Sequence, residues 1–306
     1  MDYQSVTETA EKWGVSTRRV RLLAEQGRIL GAFKDGRNWK IPADASQPND
    51  GRVKNKVIPE KYKSLFFSID HKLKELNKLR PLTQTETERL MEEFLIDFTY
   101  NSNAIEGNTL TLQETALILS QGVTVDGKPL KDYLEAIGHR DAFLYVLSLV
   151  QDKVKLSEKV IKEIHSLVLM DRKEDRGQYR RLPVRIMGAS TVPPQPYIVP
   201  KMMEELLVEY KDMLKTLHIV HMTALFHLKF EGIHPFIDGN GRTGRLLVNL
   251  ELMQAGLLPI NVKFSDRKKY YDCFHSYAET GQEDAMVNLI AAYVDTELAK
   301  YLEMLK

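Results

Sequence analysis

The sequence predicts a mainly α-helical protein in two parts, a small winged helix-turn-helix module followed by a large helical domain with one short β-hairpin flap. Three observations predict it. Beyond residue 58, apolar residues recur at helical spacing. Residues 46–57 are polar, contain Pro48 and Gly51, and read as a linker between residues 1–45 and 58–306. Residues 182–200 hold too many prolines for a helix, with β-formers around Gly188, and read as a hairpin or extended flap.

Composition bounds what such a chain can do. At 306 residues, with 43% apolar and 28% charged residues, it has material for a real core. A net charge of +1 means that any nucleic-acid contact must come from a local basic surface. The single cysteine, Cys273, excludes an internal disulfide framework and suits a reducing compartment. Met1-Asp2-Tyr3-Gln4-Ser5 lacks the features of a secretion signal, and no apolar run is long enough to cross a bilayer, so the expectation is a cytoplasmic protein that does not use membrane.

In the first module, Ser5 to Trp13 reads as a helix, Gly14 as a turn, and Ser16 as the cap of a second helix over residues 17–26. Residues 27–30 and 36–42 read as the two strands of a wing. The pattern resembles excisionase-like and MerR-like winged helix-turn-helix modules, which set the second helix in the major groove of duplex DNA and the wing on its backbone. Seven basic residues face two acidic ones between Arg18 and Lys40, and Arg18, Arg19, Arg21, Arg37 and Lys40 are the candidate DNA contacts. One small module binds weakly alone, so a homodimer is the matching assembly. The plain alternative is a helical hairpin used for protein contact or dimerisation.

In the large part, Thr83 with Glu86 forms a capping box ahead of Leu90, Met91, Phe94, Leu95 and Phe98. Further apolar stripes run from Met202 to Leu217 and from Leu246 to Met253, the last ended by Gly256 and Pro259. These are packing faces. His218, His221 and His227 have loosely ligand-like spacing but no completing zinc set, and His139 and His165 read as capping or core-edge residues.

The densest polar run is residues 234–245, between a helical pattern and the start of the next helix. Gly239 and Gly241 let backbone N–H groups converge on an anion, and the helix N-terminus adds unpaired donors. Arg242 and Arg245 lie on one helical face and can fork onto phosphate oxygens. Asp238 is a hard oxygen ligand for Mg²⁺, and His234 suits removal of a proton from an alcohol. The glycines formally fit a dinucleotide fingerprint, but no strand precedes them; a Walker loop lacks its Gly-Lys. The plain reading is a capped helix start with solvated arginines.

The run His234-Pro-Phe236-Ile-Asp238-Gly239-Asn240-Gly241-Arg242-Thr243-Gly244-Arg245 is similar, position for position, to the H-x-F-x-[DE]-G-N-G-R-x-x-R signature of the Fic family (filamentation induced by cyclic AMP). Its members typically move AMP from ATP to a Ser, Thr or Tyr hydroxyl of a target protein. Over residues 58–306 the resemblance implies a mainly helical Fic-type fold, Mg²⁺, and ATP as co-substrate. It implies His234 as base, Asp238 as metal ligand, a nucleotide cradle extending through Thr243 and Gly244, and Arg245 on the terminal phosphate. Residues 185–194 lie where relatives carry the flap over target and nucleotide, with Gly188, Ala189, Ser190 and Thr191 at its centre. Tyr270 and Tyr271 resemble a pair that borders the nucleotide; an Asn found eight residues after the first tyrosine in some relatives is Ala278 here, which implies a differently built base site.

Upstream, Ser102-Asn-Ala-Ile-Glu106-Gly107 resembles the [ST]-x-x-x-E-[GN] inhibitory motif of many Fic proteins. That resemblance implies that Glu106 pairs with Arg245 and displaces the terminal phosphate; the plain reading is a helix end at Gly107. The expected function is transfer of AMP to a target hydroxyl, or to the protein itself, autoinhibited by Glu106. A related enzyme would transfer UMP or phosphate, although Gly241 stands where inverted-nucleotide relatives usually carry lysine. The rival is a DNA-binding transcriptional regulator whose Fic-like part is a nucleotide sensor or dimer scaffold.

Overall fold

The computed structural model describes residues 2–36, 38–48, 56, 58–79, 81–185 and 192–305. It divides into two compact units, Met1–Asn55 and Lys56–Lys306.

In the first unit, Ser5 caps α1 (Val6–Trp13) through a full capping box with Glu8, and Gly14, left-handed at φ 64°, ends it. Ser16 then caps α2 (Thr17–Glu25) by accepting from the Arg19 N–H. Three short strands follow the order β1 (Tyr3–Gln4), β3 (Asn38–Pro42), β2 (Phe33–Asp35), all antiparallel. Tyr3 pairs with Pro42 and Phe33 with Lys40. Val6, Ala10, Val20, Leu23, Ala24, Ile29 and Ile41 fill the core. One expectation is corrected. Residues 27–30 are not a strand, because Gly27 (φ 65°) and Gly31 (φ 76°) turn the chain at both ends while Ile29 plugs into the core. The hairpin instead begins at Phe33, and the two-residue strand β1 had no signature of its own.

The second unit is helical among its described residues: α3 (Lys63–Leu76), α4 (Gln84–Ile105), α5 (Leu112–Gln121), α6 (Leu130–Gln151), α7 (Glu158–Val168), α8 (Val199–Thr216), α9 (Ile219–Ile233), α10 (Asn240–Gln254), α11 (Arg267–Thr280) and α12 (Asp284–Leu305). Thr83 caps α4 with the predicted box to Glu86. One apolar core gathers residues of α4, α6, α7, α8, α9 and α10; a second gathers residues of α3, α9, α10, α11 and α12. Helices α9 and α10 serve both cores and are buried on nearly every side, the pattern of central helices. Their connection, 234–239, is therefore held from both sides.

The centre of the expected flap, residues 186–191 with Gly188, Ala189, Ser190 and Thr191, lies outside the described residues. Its far flank differs from the expectation: Pro196–Ile198 is a 3₁₀ turn and Pro200 sits in the first turn of α8, where a missing N–H costs no hydrogen bond. No described helix is long and apolar enough to cross a membrane.

Candidate active site

The loop from α9 to α10 is built by short-range bonds. Asn240 clamps Phe236 at both ends: its Oδ1 accepts the Phe236 N–H at 2.9 Å and its Nδ2 donates to the Phe236 carbonyl at 2.9 Å. Phe236 is fully buried and stacks on the His165 ring with centroids 3.6 Å apart. His165 accepts from the Gly177 N–H at Nδ1, which leaves Nε2–H to donate to the Asp238 carbonyl at 2.9 Å. Burial holds its pKa down at about 4, so the ring stays neutral beneath the loop. Gly239 holds a left-handed φ of 76° that disfavours a side chain, and a Cβ there would press on Val168 Cγ1 at 3.2 Å.

His234 caps α9 in the left-handed conformation, φ 51°, with its N–H on the Phe230 carbonyl. Its own carbonyl accepts from Arg180 Nε at 2.8 Å. Arg180 is buried and spends its remaining donors on the carbonyls of Leu182, Pro194 and Ile233. One guanidinium thus ties residues before and after the flap segment to the backbone at His234. The Nδ1 of His234 lies 3.5 Å from Glu231 Oε2.

Asp238, 37% exposed, accepts the Gly239 N–H at 2.6 Å and stands 3.4 Å from Arg242. Arg242 is almost fully buried and lies 3.1 Å from Glu135 Oε1, with an angle too poor for a hydrogen bond, so its Nε and Nη1 remain without one. Glu135, on α6, also accepts from Asn108, just past the end of α4. The Thr243 hydroxyl, buried as well, has no hydrogen-bond partner among the described residues. Gly244 allows close packing, since a Cβ would sit 2.5 Å from His227 Cε1.

Arg245 is fully committed. It donates to Ser102 Oγ at 3.0 Å, to the Ser102 carbonyl at 2.7 Å, to Glu106 Oε1 at 2.7 Å and to Tyr270 Oη at 3.3 Å. Burial works against its charge, but Tyr270 and Glu106 outweigh it and hold the guanidinium above its ordinary range. Tyr270 is buried and bonded to His227 Nε2 at 2.7 Å; burial and then Arg245 press His227 down to about 3, so this ring is neutral and Tyr270 donates to it. Tyr271 bonds the Ile105 carbonyl and lies 3.5 Å from Glu106 Oε2. Gly107, at φ 94°, turns the chain past Glu106. Gly241 is what admits the carboxylate: a Cβ there would fall 2.2 Å from Glu106 Oε1.

The residues from His234 to Arg245, together with Ser102, Glu106, Tyr270 and Tyr271, therefore meet in one place. His139 and His165 are corrected from capping or edge residues to fully buried ones; Thr99 bonds His139 Nδ1 at 3.1 Å. His218 and His221 pair with Asp70 and Glu283, and no group of three potential ligands gathers among the described residues. Arg180, His165, Glu135 and Glu231 escaped sequence reasoning; only Glu231, one helical turn before His234, had a positional signal.

Residues 155–252 match the model of the Fic/DOC family. The chain is 35% identical over 245 residues to a protein adenylyltransferase Fic of Nematostella vectensis, covering 78% of this chain and 56% of that protein. It is 38% identical over 221 residues to the protein of the same name from Drosophila willistoni, covering 70% and 43%. The chain thus spans about half the length of these curated relatives. Among solved structures it is similar to a Fic domain containing signaling protein from Bacteroides thetaiotaomicron, with TM-score 0.71 and 29% identity over 77% of this chain and 97% of that one. Fic-1 from C. elegans matches with TM-score 0.70 and 28% identity over 79% and 72%.

Proposed function

We propose that this chain, which carries a Fic/DOC family domain at residues 155–252, transfers AMP from ATP to a protein hydroxyl and is held in check by Glu106. The observation that carries the reading is the Arg245–Glu106 pair beside the N-terminus of α10, which the loop from His234 leads into. A cradle built for an anion is filled by the chain's own carboxylate. The names of the curated relatives, protein adenylyltransferase, agree with the chemistry.

In this reading the N-terminal N–H groups of α10 and the open donors of Arg242 bind the polyphosphate. His234 takes the proton of a Ser, Thr or Tyr hydroxyl, which attacks the α-phosphorus in line as pyrophosphate leaves. Arg245, once released by Glu106, holds the terminal phosphate, and Tyr270 keeps its guanidinium aimed. Asp238 fits Mg²⁺, since its carboxylate is a hard ligand and partly exposed, and phosphate oxygens would complete the shell. When bound, Mg²⁺ would neutralise charge on the polyphosphate.

The test is mass spectrometry of the Glu106→Gly protein after incubation with Mg²⁺-ATP. An added AMP on the chain itself or on a supplied target supports the reading. ATP binding with no transfer would leave a nucleotide sensor or dimer scaffold. We place the protein in the cytoplasm on its lone, buried cysteine.

A second reading concerns residues 1–45, where two capped helices and a β-hairpin have the order of a winged helix-turn-helix. Arg18 and Arg21 are exposed on α2, while Arg37 lies outside the described residues. Duplex DNA, bound by a homodimer, is the partner this fits. Binding should weaken steeply with salt and vanish on deletion of residues 1–45 without loss of transfer. No duplex binding at low salt would leave a protein-contact module.

A further inference from the structure

The family-like motif begins at His234, yet the geometry around that ring starts one helical turn earlier. With φ at 51°, His234 leaves the helical path and its ring folds back over the last turn of α9. There Nδ1 stands 3.5 Å from Glu231 Oε2, and both side chains are largely buried. His234 Nδ1 and Glu231 Oε1 each lack a hydrogen-bond partner among the described residues. The distance is long for a hydrogen bond, and a small side-chain rotation closes it, as catalytic bonds close when substrate is bound. The backbone is not free to drift, because Arg180 holds the His234 carbonyl and the Phe230 carbonyl holds its N–H. Room for the carboxylate comes from α10: a Cβ on Gly244 would sit 3.0 Å from Glu231 Oε1.

A buried carboxylate without its full set of bonds is costly, and so is a buried imidazole N–H without an acceptor. Placed against each other, the two deficits cancel. We propose that Glu231 is the positioning carboxylate of His234, accepting the Nδ1–H so that Nε2 presents its lone pair to the incoming hydroxyl. The step it serves rests on the transferase reading; the contact does not. In that step the hydroxyl oxygen bonds the α-phosphorus as the bond to pyrophosphate breaks. The hydroxyl proton passes to Nε2, and the imidazolium lies against Glu231 until it returns the proton to solvent. His227 lies beside Glu231 at Gly244, with Tyr270 and Arg245 bonded behind it, and Arg180 holds the His234 carbonyl from the flap side.

The experiment is ¹⁵N-resolved NMR of the histidine rings in the full chain, with the His234 signal assigned by its loss in His234→Gln. Wild type should show the Nδ1–H tautomer at His234, and Glu231→Gln and Glu231→Ala should lose that preference. The same substitutions, made in Glu106→Gly, should lower kcat at least tenfold and leave the KM for ATP unchanged. An unchanged tautomer in both variants, or an unchanged kcat, overturns the proposal. Glu231→Gln keeps the volume of the side chain, so a folding failure confined to Glu231→Ala leaves the test standing. If Glu106→Gly shows no transfer while the tautomer still shifts, the transferase reading fails and the Glu231 contact stands.

Discussion

Arg242 and Arg245 stand three residues apart on one helix, both buried, and they meet different fates. Arg245 has every direction filled by Ser102, Glu106 and Tyr270. Arg242 has its charge balanced by Glu135 and Asp238, but two of its nitrogens make no hydrogen bond among the described residues. Open donors on a buried guanidinium cost about 1–3 kcal/mol until a ligand fills them. The difference separates two uses of a carboxylate. Glu135 neutralises an arginine and leaves it able to bind; Glu106 neutralises an arginine and uses it up. Exposure follows the same division, with the Glu135 side chain 7% exposed and that of Glu106 28%.

Three expected outcomes test that contrast. The largest is on stability: Glu135→Ala leaves Arg242 in the interior with the partly exposed, 3.4 Å-distant Asp238 as its remaining carboxylate, and removal of one partner from a buried pair costs about 3–5 kcal/mol, read as a fall in the urea unfolding free energy. Glu106→Gly should cost far less, because Arg245 keeps both bonds to Ser102 and its bond to Tyr270. Equal losses in the two variants would erase the distinction. Next is activity. Freeing Arg245 should raise label transfer from α-³²P-ATP about a hundredfold, and the added change His234→Ala should abolish it. A rise that survives loss of His234 would mean labelling by another route; no rise, with an active wild type, would make Glu106 a helix end only.

The smallest effect is on pH dependence. Each arginine rests near a neutral buried histidine, Arg242 above His165 through Asp238 and Arg245 beside His227 through Tyr270. Both histidines have folded pKa values pressed below the unfolded value, to about 4 and about 3, chiefly by burial. The unfolded chain therefore binds more protons in this window, and stability falls as pH drops from about 6.5 toward 4. Between pH 6.5 and 5 each histidine should contribute roughly 1.5 kcal/mol of loss, and His227→Gln should flatten the curve by about that amount. An unchanged slope would place the acid sensitivity elsewhere.

Legibility in the sequence followed the range of the contacts. The loop 234–245 could be read because its bonds are local: Asn240 reaches back four residues to Phe236. The ends of α1, α2 and α4 could be read for the same reason, since Ser5, Ser16 and Thr83 cap within three residues. Glu106 reached Arg245 on paper only through resemblance, because 139 residues separate them. Arg180, His165 and Glu135 serve the loop from other elements, and no spacing rule connects them to it. The wing was misplaced because Ile29 looks like a strand residue by type, whereas the two left-handed glycines around it decide the path.

Gly241 has a meaning in the language of heredity. Every codon change there that replaces the glycine adds a carbon 2.2 Å from the Glu106 oxygen, and the same carbon would crowd the mouth of the cradle. At position 106 a single base turns a glutamate codon into a glycine codon and removes the restraint alone. In the proposed reading, position 106 can lose its carboxylate without disturbing the cradle, whereas position 241 cannot gain a side chain without disturbing both.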